Sequence, residues 1–155
     1  MNDVPLKIYT DGGCSGNPGP GGWAYVIIRQ ISQDSEIIEK KHGAEKNTTN
    51  NKMELTAVIE ALRALKTIEG FPLKAVVYTD SQYVQKGITE WIHNWKRNSW
   101  RTADKKPVKN QELWTQLDSL AAEFEISWEW VKGHAGNEFN EMCDSMTQTA
   151  IKSIS

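Results

Sequence analysis

The stretch Leu6-Lys-Ile-Tyr-Thr-Asp11, followed by the glycine-rich run Gly12 to Gly22 and then by Trp23-Ala-Tyr-Val-Ile-Ile-Arg29, decides how this chain folds. Apolar residues at 6 and 8 alternate with polar ones, which predicts a strand ending at Asp11. Trp23 to Arg29 is a short apolar, β-branched run and predicts a second, buried strand. Ile37 and Ile38, with flanking charges up to His42, predict a third that closes a meander. Beyond it, Leu55, Val58, Ile59, Leu62 and Leu65 fall at helical spacing within Lys52 to Thr67. Ala75-Val-Val-Tyr-Thr79 predicts a fourth strand. Ser81 to about Lys96 follows as a helix, with Gly87 as its break. Gln111 to Glu123 repeats a helical stripe, Ile126 to Val131 predicts a fifth strand, and Phe139 to Ile151 a last helix. Hairpins join the first three strands. Helical crossovers make strands one, four and five parallel by the right-handed rule. The expected fold class is α/β, a five-stranded mixed sheet flanked by helices.

Composition narrows the function classes. The 155 residues predict one domain over 1–155, and 25% charged with 39% hydrophobic residues excludes a disordered or collagenous chain. The longest apolar run, Trp23 to Ile28, is far short of the ~20 residues that span a bilayer. No export signal is read at the N-terminus, and a cytoplasmic monomer with no membrane partner is the expectation. Cys14 and Cys143 form no CxxC or Cys/His spacing, so neither a disulfide scaffold nor a zinc site is expected. Net charge is only −2. Its distribution is uneven, because between Trp95 and Asn110 six basic residues are opposed by Asp104 alone, a local charge of +5.

In sheets of this kind chemistry gathers beyond the carboxyl ends of the parallel strands. Asp11 ends the first strand and Asp80 the fourth, so neighbouring strands would bring two carboxylates together. Each also has a plainer reading: Asp80 as a helix N-cap, Asp11 as a turn former. Glu54 fits a capping box begun by Asn51, yet it shares a helical face with Val58, Ala61 and Leu65, whereas Glu60 lies opposite. No lysine or arginine falls on that stripe, and a carboxylate on a buried face needs a partner. Clustered oxygen ligands without cysteine or histidine suit Mg²⁺ or Mn²⁺. Trp91, Trp95 and Trp100 lie in or beside the basic segment. Two of them share a helical face that serves equally as core, but the interleaved lysines and arginines favour nucleic-acid binding. Gly19-Pro-Gly-Gly-Trp-Ala24 loosely matches a dinucleotide fingerprint, but it precedes a strand and is rejected.

The segments Tyr9-Thr-Asp-Gly-Gly-Cys-Ser-Gly-Asn-Pro-Gly-Pro-Gly-Gly22, Thr48-Thr-Asn-Asn-Lys-Met-Glu54, Thr79-Asp-Ser-Gln-Tyr-Val84, Gly87-Ile-Thr-Glu-Trp-Ile-His-Asn-Trp-Lys96, Thr102-Ala-Asp-Lys-Lys-Pro-Val-Lys-Asn110 and Trp130-Val-Lys-Gly-His-Ala-Gly136 occur in this order. In them the chain resembles the bacterial type 1 ribonuclease H family over nearly its whole length. The resemblance implies endonucleolytic hydrolysis of the RNA strand of RNA–DNA hybrids, leaving 5′-phosphate and 3′-hydroxyl ends, with two Mg²⁺ ions per site. It implies metal ligation by Asp11, Glu54, Asp80 and Asp144, with His134 assisting proton transfer or product release. It also implies hybrid contacts from Cys14, Asn17, Thr49, Asn50, Asn51 and Gln82, and from Trp91, Trp95, Lys96, Arg97 and Trp100 around the basic protrusion. The chain departs from the family where Met142, Met146 and Thr147 replace the usual arginine, leucine and alanine, and where Gly13 replaces serine or alanine. The rival readings are a non-catalytic hybrid-binding module and an integrase- or transposase-like nuclease of the same fold class. The first would lack one of the four acids, and the second would not need the Asn50-Asn51 pair.

Overall fold

The computed structural model describes residues 5–68, 74–132 and 137–154. Strand β1 (Leu6–Cys14) pairs antiparallel with β2 (Gly19–Ile31), which pairs antiparallel with β3 (Asp34–Thr48). Helix α1 (Asn50–Leu65) crosses over to β4 (Lys74–Thr79). Then come α2 (Gln82–Lys86), a π-helical turn (Gly87–Trp91), α3 (Ile92–Arg97), α4 (Gln111–Ala121), β5 (Glu125–Trp130) and α5 (Glu138–Ile154). The sheet order is β3-β2-β1-β4-β5, with β4 parallel to both β1 and β5. This is the expected five-stranded mixed sheet.

Strand alternation divides the core between the two faces of the sheet. Leu6, Ile8, Tyr25 and Ile27 belong to the larger cluster with α1 and with Trp114 and Leu117 of α4. Tyr9, Ala24, Val26 and Ile28 pack with Cys143 of α5 on the other. Tyr9 stacks on Tyr78 at 4.7 Å between ring centroids and meets Phe139 at 5.5 Å, which ties β1, β4 and α5 together.

Three expectations are corrected. Strand β1 runs to Cys14 rather than ending at Asp11, since Gly12, Gly13 and Cys14 pair with Trp23, Gly22 and Gly21. Strand β3 runs to Thr48 rather than stopping near His42. Its ladder with β2 holds it as an edge strand although its side chains are mostly polar and exposed. Gly87 does not break its helix. Its backbone is helical (φ −60°, ψ −48°), and the chain widens into one π-helical turn before continuing as α3. The glycine serves packing: a Cβ there would lie 2.5 Å from Cζ2 of the fully buried Trp114.

Candidate active site

The β1–β4 ladder ends at Thr10 opposite Thr79, so the next residue on each strand is an aspartate. Asp11 and Asp80 therefore lie side by side where the β1–β4 ladder ends, on the face that carries Tyr9 and Tyr78. Neither plainer reading survives in the structure. Ser81 caps α2 by accepting from the Val84 N–H (3.2 Å), leaving Asp80 outside the cap, and β1 continues for three residues beyond Asp11 before the turn. Trp130, 44% exposed at the end of β5, donates its indole N–H to the Asp80 carbonyl (3.1 Å).

Glu54 arrives from the other side of the sheet. Thr49, not Asn51, caps α1, accepting from the Lys52 N–H (3.2 Å). That places Glu54 in the second turn, beyond the reach of a capping box. Gly12 brings it in: a Cβ at Gly12 would overlap the Met53 carbonyl and lie 2.6 Å from the Glu54 nitrogen. Strand and helix thus touch backbone to backbone. One carboxylate oxygen from each of Asp11, Glu54 and Asp80 lies within 4.8 Å of the others. Glu54 Oε2 is buried without a hydrogen-bond partner. Burial, then the charges of Asp11 and Asp80, hold Glu54 well above the usual carboxylate range. Burial, then Asp80 and Asp144, push Asp11 up to about 7. An oxygen-only, crowded and incompletely partnered set of acids is what a hard divalent cation would satisfy.

Asp144 stands on α5 beside this group, close enough for its charge to act on Asp11, but it is not among the three mutually close acids. Apolar periodicity centres the stripe of α5 on Phe139, Met142, Cys143, Met146 and Ala150. The buried residues are instead Asn140, Cys143, Thr147, Ala150 and Ile151. The helix is turned toward its polar flank, and Asp144, between Asn140 and Thr147 on that flank, sits at the rim of the buried face. Asn137 starts this helix by accepting from the Phe139 and Asn140 N–H groups (3.0 Å each). His134 lies outside the described residues.

Beside the acids, Asn50 links two segments: its N–H donates to Asn17 Oδ1 (3.0 Å) and its own Oδ1 accepts from the Cys14 N–H (2.8 Å). Asn17, Asn50, Asn51 and Gln82 are exposed, Cys14 and Thr49 half-buried. Trp91 is 36% exposed, whereas Trp95 and Trp100 pack against the core and one another. Lys96 pairs with Asp118 (3.1 Å), and Arg97 donates to Asn94. The basic segment beyond is fastened by the Trp100 N–H to the Trp95 carbonyl (2.7 Å) and the Val108 N–H to the Trp100 carbonyl (3.1 Å). Left-handed backbone at Ser99, Trp100, Lys105 and Asn110 shapes it. Two contributors escaped the sequence reading: Gly12, whose close approach is a tertiary property, and Trp130, whose anchoring role has no local signature.

The family model for RNase H matches residues 3–152. The chain belongs to the RNase H family. It is 52% identical to ribonuclease H of Treponema denticola over 159 residues, covering 96% of this chain and 98% of that protein. It is 54% identical to ribonuclease H of Cupriavidus necator over 149 residues, covering 96% and 97%. Among solved structures it resembles LC9-RNase H1, a type 1 RNase H with the type 2 active-site motif, at a TM-score of 0.85 and 31% identity over 99% of this chain and 76% of that one. Membership in this family makes the chain a nuclease, and the acidic triad suits it to divalent metal.

Proposed function

We propose that the chain is an endonuclease hydrolysing the RNA strand of RNA–DNA hybrids, leaving 5′-phosphate and 3′-hydroxyl ends, with two Mg²⁺ ions per site and Mn²⁺ as a substitute. The observation that carries this reading is the buried, unpartnered Glu54 Oε2 among carboxylates within 4.8 Å of one another, in a chain of the RNase H family. Asp11, Glu54 and Asp80 would hold the metal, with Asp144 contributing from the rim of α5. Bound there, the ions would supply a lowered pKa for the attacking water and charge stabilisation for the leaving 3′-oxygen.

The chain's own residues bind and orient. The carboxylates fix where the metal sits and take no part as nucleophiles. Asn17, Cys14, Thr49, Asn50, Asn51 and Gln82 would receive the hybrid, whose A-like minor groove offers 2′-hydroxyls to side-chain amides. Lys96, Arg97 and the tryptophans Trp91, Trp95 and Trp100 would hold the DNA strand, and His134 would carry a proton or speed product release. Residues 1–155 act as one domain, working as a cytoplasmic monomer in this reading.

The test is cleavage of labelled RNA–DNA hybrid, RNA duplex and DNA duplex with and without Mg²⁺. Only the hybrid should be cut, in its RNA strand, and only with metal. Asp11→Asn and Asp80→Asn should nearly abolish turnover while binding hybrid almost as tightly. His134→Ala should lose no more than the roughly 10²–10⁴ expected of a proton carrier. Wild-type turnover in either asparagine variant would sink the metal assignment.

A further inference from the structure

The three close acids are not held alike. Asp11 pairs with Ala24 in the β1–β2 ladder, and Glu54 lies inside α1. Asp80 follows the last residue of β4, and the ladders that join β4 to β1 and to β5 both end at Thr79. Strand pairing therefore does not set the direction of Asp80. An aspartate just past a strand end points where the peptides around it are made to lie.

Two sets of bonds shape the turn that carries Asp80. Within it, the Ser81 N–H donates to Oγ1 of the fully buried Thr79 (3.0 Å), and the Ser81 hydroxyl accepts from the Val84 N–H (3.2 Å). From outside comes β5. The Val131 N–H donates to the Thr79 carbonyl (2.8 Å), and the Trp130 indole N–H to the Asp80 carbonyl (3.1 Å). The first of these needs no particular side chain; the second depends on the indole. Trp130 is also 44% exposed, so its donor can be removed with little disturbance of the core.

We infer that Trp130 is a positioning residue for metal binding: its indole N–H fixes the peptide between Asp80 and Ser81 and so keeps the Asp80 carboxylate beside those of Asp11 and Glu54. The inference rests on the metal-binding reading above. With its carbonyl held, that peptide cannot rotate freely, and the acid is set in place before a cation arrives rather than gathered by it. Hydrogen-bond partners behind metal ligands typically change affinity by roughly 10–100-fold when removed. A bond to the backbone of the ligating residue belongs at the lower end of that range.

The experiment titrates Mn²⁺ alone into the full chain without nucleic acid, by calorimetry or by the spin-resonance signal of the free ion. Trp130→Phe keeps an aromatic ring and removes the donor; Trp130→Ala removes both. Circular dichroism checks that each variant is folded before titration. We expect the phenylalanine variant to bind Mn²⁺ about 10-fold more weakly, and the alanine variant to lose a similar factor, since the donor is missing from both. With hybrid present, the phenylalanine variant should need more metal to reach half its rate while its KM for hybrid at saturating metal is unchanged. Wild-type Mn²⁺ affinity in the phenylalanine variant would overturn the inference, and a loss confined to the alanine variant would assign the effect to the packing of the ring. A raised KM for hybrid with unchanged metal affinity would overturn it too, making Trp130 a substrate contact instead. If the wild-type chain itself fails to bind Mn²⁺, the metal-binding reading falls and takes the inference with it, an outcome distinct from the others.

Discussion

With a pKa of about 7, Asp11 is half protonated at neutral pH in the metal-free protein, and burial holds Glu54 well above the usual carboxylate range. Both folded-state values lie above the unfolded ones. Between about pH 4 and pH 7 the folded chain therefore binds more protons than the unfolded chain, and stability falls as pH rises. The contribution is whole below the unfolded value of 3.8 and is lost as pH passes about 7. Its slope approaches about 1.4 kcal/mol per pH unit for each such carboxyl. Calorimetric melting of the chelated protein should give a lower Tm at pH 8 than at pH 5. Asp11→Asn should flatten that fall, and a saturating divalent ion should restore more stability at pH 8 than at pH 5. Parallel profiles for wild type and Asp11→Asn would mean that Asp11 does not titrate in this window.

Among the elements, α1 and α5 carry Glu54 and, in the proposed reading, Asp144, and they are seated on Gly12 of β1 and Gly22 of β2, while Gly87 seats Trp114 of α4. At Gly12 and Gly87 an added methyl meets backbone or a buried indole, neither of which can yield cheaply. Gly12→Ala and Gly87→Ala should each lose about 1–3 kcal/mol in urea unfolding, the usual cost of overpacking. That loss would come at Gly87 despite the ~1 kcal/mol that alanine gains in a helix. Only Gly12→Ala should also weaken Mn²⁺ binding, because it separates β1 from α1. The rim position of Asp144 predicts that Asp144→Asn lowers turnover strongly and raises the Mg²⁺ needed, whereas Glu141→Gln, on the exposed side of the first turn, does neither. The reverse pattern would assign the fourth acid to Glu141. Strand order and the meeting of Asp11 with Asp80 were legible because alternation and crossover handedness determine them. Glu54 was legible from its helical face, although the cap proved to be Thr49. The orientation of α5 was not: its buried stripe contains Asn140 and Thr147, which no apolar period includes. The extent of β3 was hidden for a related reason, since an edge strand needs a partner's hydrogen bonds more than apolar side chains.

On the scale of the whole molecule, charge is segregated: an acidic cluster lies at the end of the central strands and a basic segment beyond α3. In the proposed reading the basic side grips phosphates while the acidic side awaits metal. Replacing Arg97, Lys105 and Lys106 with alanine should lower the slope of log affinity for hybrid against log salt by roughly 0.7–0.9 for each phosphate no longer neutralised. Turnover at saturation should change little, and an unaltered slope would make the segment a solvated surface. Lys96 should matter less, because Asp118 already neutralises it. The sheet order has a further consequence for which motions the site can share. β1 is bonded along both edges and lies between α1 and α5, whereas β3 has one edge open. Amide protons of Ile8 to Thr10 should exchange with deuterium only through global unfolding, while those of Lys40 to Ala44 that do not pair with β2 exchange by local opening. Asp11 thus hangs from the part of the chain that opens last, and whatever movement accompanies substrate entry has to be made by the elements around it.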